Sequence, residues 1–176
     1  MKTPRLLAAL LVGGLSVCLL TPAVGAVGET TATLTVEGGA LSVTVPVSAG
    51  SLGTRANTVA GGTISGTLGQ VQVNDARGAA AGSGWVVSAI ATAFTPPSGP
   101  AIAASAIGYT AGSIVKVGTA TYTANDPTDL TAITPVVTAT GITGDNAATW
   151  NPTINVLVPG GMAPGLYSAT ITHSVA

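Results

Sequence analysis

Over residues 41–48 the chain alternates Leu41, Val43, Val45 and Val47 with Ser42, Thr44, Pro46 and Ser48. A period of two predicts a strand with one buried face and one wet face. Pro46 faces outward and lacks an N–H, which places this strand at a sheet edge. Val71 and Val73 alternate with Gln72 and Asn74 in a shorter strand, ending near the turn-like Asp75-Ala76-Arg77-Gly78. Asp75 and Arg77 there read as a solvated hairpin end carrying a surface ion pair worth little. From Trp85 onward, Val87, Ala89, Ala91 and Ala93 point one way and Val86, Ser88, Ile90, Thr92 and Phe94 the other, with both faces partly apolar. Three prolines and a glycine then make Pro96-Pro97-Ser98-Gly99-Pro100 a loop.

Residues 106–109, 114–123 and 133–140 predict further short strands, and 101–107 leaves room for one helical turn. Asp145-Asn146 reads as a turn. In the distal segment Trp150, Ile154, Val156 and Val158 share an apolar face opposite Thr149, Asn151, Thr153 and Asn155. A last strand alternates Tyr167, Ala169, Ile171, His173 and Val175 with Ser168, Thr170, Thr172 and Ser174 and runs to the chain end. Eight or nine strands with no amphipathic helix predict an all-β fold, an antiparallel β-sandwich, with a β-barrel as the alternative.

The N-terminus follows a different pattern. Lys2 and Arg5 lead into an apolar run over residues 6–20 and then the small-residue site Val24-Gly25-Ala26. This is the layout of a secretory signal peptide, residues 1–26, cleaved after Ala26, and it makes membrane contact transient. Residues 27–176 are then a single exported domain. They contain Arg55, Arg77 and Lys116 against Glu29, Glu37, Asp75, Asp126, Asp129 and Asp145, a net charge of −3. So few cations exclude nucleic acid, whose binding depends on neutralising phosphates. Cys18, the one cysteine, lies in the signal, so the exported domain is held by packing rather than by disulfides. Disorder is excluded by a hydrophobic fraction of 47%, which is high for a segment unable to bury a core.

Chemistry is sparse. One histidine, no cysteine and six carboxylates after residue 26 offer no convergent acid, base or nucleophile, so we expect no enzyme and no cofactor. His173 reads as a strand residue at the rim of the core. Zinc lacks ligands. Asn125, Asp126 and Asp129 group oxygen atoms as weak calcium binding would require, although Asn-Asp-Pro is also an ordinary turn. Trp85 and Trp150 are the only tryptophans in a chain that is 3% aromatic. Each is either a core anchor or, with Tyr109, Tyr122 and Tyr167, part of a ligand-binding surface.

The pair carries a resemblance. Gly84-Trp85-Val86-Val87 leading to Phe94, and Thr149-Trp150-Asn151-Pro152 through Val158-Pro159 to Tyr167, resemble the two Trp-x-Leu motifs of the WxL domain of Gram-positive surface proteins. Val87 and Pro152 stand where those motifs have leucine. The resemblance implies a cell-surface protein held non-covalently on the wall through peptidoglycan, with Trp85 and Trp150 as ligand-binding candidates and other surface proteins as partners. The residues present no sorting motif, no apolar C-terminal tail and no basic cluster, so retention at the wall would be non-covalent. A structural or adhesive subunit joined by strand or sheet-edge pairing is the alternative.

Overall fold

The computed structural model describes residues 30–176. The expected signal peptide over 1–26, with its expected cleavage after Ala26, and Cys18 lie outside the described residues. Val36–Ala176 forms one compact unit. Residues 30–35 are exposed and without regular structure.

Eight strands build the compact unit: β1 (Leu41–Thr44), β2 (Gly62–Thr67), β3 (Val71–Ala91), β4 (Ile107–Thr110), β5 (Val115–Ala124), β6 (Thr134–Trp150), β7 (Thr153–Val158) and β8 (Ile171–Val175). A short 3-10 turn, Ala104–Ala106, precedes β4. All pairings are antiparallel, in two open sheets: β1-β3-β6-β5, with β8 also on β3, and β2-β7-β4. The result is a β-sandwich, and neither sheet closes into a barrel.

The alternating residues of β3 explain its position. Val71, Val73, Trp85, Val87 and Ala89 are buried, and β6 covers one edge of the strand along its whole length. The other edge is therefore divided: β1 pairs with residues 72–75 and β8 with residues 87–91. The core between the sheets is filled by those side chains together with Ile107 and Tyr109 of β4, Val137 and Trp150 of β6 and Ile154 of β7.

Several strand expectations need correction, among them the strand 133–140 and the turn at Asp145-Asn146, since β6 runs through both to Trp150, and the last strand, which starts at Ile171 rather than Tyr167. The strand starting at Val71 does not end near Asp75-Ala76-Arg77-Gly78. It continues to Ala91, with register shifts between Asp75 and Trp85 that accommodate extra residues as bulges. Gly78 (φ 61°) supplies the left-handed backbone that such a bulge needs. The strand at 41–48 stops at Thr44, leaving Val47 fully exposed. The distal segment is two strands rather than one. Pro152 has no N–H to extend the ladder, and the chain passes there from β6 in one sheet to β7 in the other. The β2–β3 connection crosses beside it, bound by the Leu68 N–H to the Pro152 carbonyl (2.8 Å) and the Gly69 N–H to Asn151 Oδ1 (3.0 Å). Gly69 has φ 94°, and a Cβ there would lie 2.7 Å from Pro46 Cγ. This corner of the sandwich therefore requires glycine.

Candidate functional site

Both tryptophans lie in the core, each only 2% exposed. An indole carries one N–H that must be satisfied when water is excluded, and each finds a side-chain partner. Trp85 Nε1 donates to Asn146 Oδ1 at 2.9 Å, and Trp150 Nε1 donates to Tyr109 Oη at 2.8 Å. As ligand-binding candidates they are therefore corrected. Buried indoles with their N–H groups committed inside the sandwich present no face to a surface ligand.

The Trp85 partner anchors a polar chain within the apolar interior. Asn146 Oδ1 also accepts from the Tyr122 hydroxyl at 3.2 Å, and its Nδ2 donates to Asp75 Oδ2 at 3.0 Å. Asp75 is fully buried and receives a two-pronged bond from Arg77, Nε to Oδ1 at 2.8 Å and Nη2 to Oδ2 at 3.0 Å. The Asp75 carboxyl is held below the usual carboxylate range, first by the Arg77 hydrogen bond, which outweighs the opposing effect of burial, and then by Asn146. Tyr122 packs its ring 5.6 Å from that of Trp85, and its hydroxyl is pushed up by burial and by the Asp75 charge. The solvated hairpin end expected at Asp75 and Arg77 is thus a buried carboxylate capped by a half-exposed guanidinium. A buried charge is tolerated when its oxygens are satisfied in this way.

The Trp150 partner leads to a second chain. Tyr109 Oη lies 3.2 Å from His173 Nε2, with the two rings edge to face at 5.7 Å. Tyr109 Oη, which accepts from Trp150, thus shares a second hydrogen bond with His173 Nε2, whose direction follows the imidazole tautomer. His173 Nδ1 is buried and has no hydrogen-bond partner among the described residues. Burial raises the Tyr109 phenol above its ordinary value and lowers His173 from 6.5 to about 4. His173 thus packs at the core rim as a neutral ring.

The calcium candidates are engaged in hydrogen bonds of the fold. Asp126 Oδ1 accepts the Ala111 N–H at 2.7 Å, Asp129 Oδ1 accepts the Thr131 N–H at 2.7 Å, and Asn125 Nδ2 donates to Thr138 Oγ1 at 2.9 Å. No cluster of three or more metal-ligating His, Cys, Asp or Glu side chains occurs among the described residues.

A groove of about 810 Å³ lies between the 45–58 connection, β7, Phe94 and the 162–171 segment. Its lining includes Ile64, Val156, Val158 and Met162, with Arg55 and Asn57 among the polar groups and no carboxylate. Arg55 donates to the Gly61 carbonyl and Asn57 Nδ2 to the Met162 carbonyl (2.7 Å). Such a surface suits binding by shape and apolar contact.

Sequence reasoning missed Asn146, the hub of the first chain. A signal was present, because Asn146 shares the face of Ala148 and Trp150 by the same alternation that places Asp75 with Val71 and Val73. Fold and site together define an all-β sandwich whose two tryptophans are tied to buried polar side chains. Compared with protein-family models, curated proteins and solved structures, the chain matches none.

Proposed function

We propose that the protein is a secreted, non-catalytic surface protein that attaches non-covalently to the Gram-positive cell wall through peptidoglycan. The observation that carries this reading is the pairing of two tryptophan motifs as anchors of one core, behind a leader of secretory type. The motif residues then maintain the fold, and contact with the wall falls to the surface around them. The groove beside β7 is the concave part of that surface, large enough for a short glycan or peptide segment. Its lack of carboxylates agrees with a binding role rather than hydrolysis.

The test is co-sedimentation of purified residues 27–176 with isolated wall sacculi, with soluble muropeptides as competitor. Pelleting that the muropeptides abolish supports peptidoglycan as the ligand. Protein that stays in the supernatant at every sacculus concentration refutes the reading. The alternative, a structural subunit joined through sheet edges, is favoured by one specific feature. Strand β5 is an open edge with Val115 and Val117 at 66% and 65% exposure.

A further inference from the structure

Residues 31–37, Thr-Ala-Thr-Leu-Thr-Val-Glu, alternate small or apolar Ala32, Leu34 and Val36 with Thr31, Thr33, Thr35 and Glu37. This is a strand pattern rich in β-branched residues. Yet the segment forms no strand, and Leu34 and Val36 are 87% and 86% exposed. The obvious ladder, a continuation of β1 along β3, is interrupted. β3 is bulged beyond Asp75, with left-handed backbone at Gly78 and Gly82 (φ 61° and 88°). A strand-forming segment without a ladder and a strand with a free edge are complementary features. We propose that residues 31–37 of one copy add as an antiparallel strand to the outer edge of β5 in a second copy.

Reach excludes pairing within one chain. The Gly39 N–H bonds to the Ala76 carbonyl, which fixes Gly39 on the β1 side of β3. The outer side of β5 lies four strand spacings from β1 in the order β1-β3-β6-β5, roughly 19 Å at about 4.8 Å per spacing. Val36 is three residues from Gly39 and extends at most about 11 Å. The donor must therefore come from another molecule.

Charge and side-chain pattern select the register. With Val36 opposite Val117, Glu37 falls opposite Lys116 on the stretch of β5 that precedes its own bulge at Gly118, so two exposed apolar side chains meet and opposite charges pair. Of the three cations after residue 26, Arg77 is bound to Asp75 and Arg55 to a carbonyl. Lys116 has no carboxylate partner among the described residues and lies 5.7 Å above the Tyr122 ring. The donor segment enters the fold on the β1 side and the acceptor is the β5 edge, two different surfaces, so the contact is head to tail and propagates into chains or closes into rings. This assembly goes beyond wall attachment and does not require it.

Sedimentation velocity on purified residues 27–176, without wall material, tests the proposal through complementation. Wild type is expected to form oligomers that grow with concentration. Leu34→Glu/Val36→Glu, which spoils the donor, and Val115→Lys/Val117→Lys, which spoils the acceptor, are each expected to be monomeric. All four positions are exposed, and circular dichroism checks that both variants keep the wild-type fold. Mixed one to one, the variants should form a dimer and nothing larger, since one intact donor then meets one intact acceptor. A wild type that remains monomeric, an acceptor variant that still assembles, or a mixture without dimer would each overturn it.

Discussion

Protonation of His173 should set the acid stability of the fold. Its imidazole is the only one in the chain, its Nε2 is occupied by Tyr109, and its Nδ1 is buried without a partner. Burial lowers its pKa from 6.5 to about 4. Above pH 6.5 the ring is neutral in both folded and unfolded chains and contributes no pH dependence. Between 6.5 and 4 the unfolded chain takes up a proton that the folded chain refuses, so stability falls with decreasing pH. The shift corresponds to about 3 kcal/mol, lost in full by pH 4. The carboxylates held low, Asp75 and Asp129, act in a separate window: their contribution is present above the ordinary value of 3.8 and is lost as pH falls through their depressed values. The interval from 6.5 to 4 therefore isolates the histidine. Urea unfolding at half-unit pH steps should show wild type losing about 3 kcal/mol across it, a large part of the stability of a domain this size. His173→Gln, neutral throughout and able to accept from Tyr109, should lose far less. A wild type whose stability is flat from pH 7 to 4, or a Gln variant that falls in parallel, would refute the reasoning.

Asn146→Ala removes the acceptor of the Trp85 N–H and the Tyr122 hydroxyl as well as a donor to Asp75, so buried polar groups lose their partners. A cost of about 3 kcal/mol is expected, read as a lower urea midpoint with unchanged slope. Gly69→Ala places a Cβ against the Pro46 ring in left-handed backbone and should cost on the order of 1–3 kcal/mol, measured by thermal melting. An Ala variant that melts with wild type would remove glycine's role at the sheet corner.

Much of the fold was legible in the sequence because alternation reports directly which side of a strand meets water. Trp85, Val87, Ala89 and Ala91, grouped on one face by the alternation, are buried together, and the 3-10 turn falls within 101–107. What alternation does not report is the partner. Val45 and Val47 continue the pattern of β1 with no sheet to cover them, since both are exposed. Glycines at 78 and 82 signal a turn and a bulge with the same residue type, which is why β3 read as two strands. Trp150 and Ile154 both point into the core, so their shared polarity concealed the passage from one sheet to the other at Pro152. Burial of Asp75 depends on Asn146, its opposite number in β6 at a distance of 71 residues, and no local pattern carries that register.

The division of one β3 edge between β1 and β8 has a kinetic consequence. Val87 pairs with Val175, so the central strand waits for residues made 88 positions later. Contacts this far apart in sequence demand loop closure before they return any stabilisation, which places such topologies among the slow folders, in the millisecond to second range. A chain secreted from its N-terminus would leave the edge of β3 near Trp85 open until residues 171–175 had followed. If the protein is exported as proposed, the sandwich is completed on the far side of the membrane by β8.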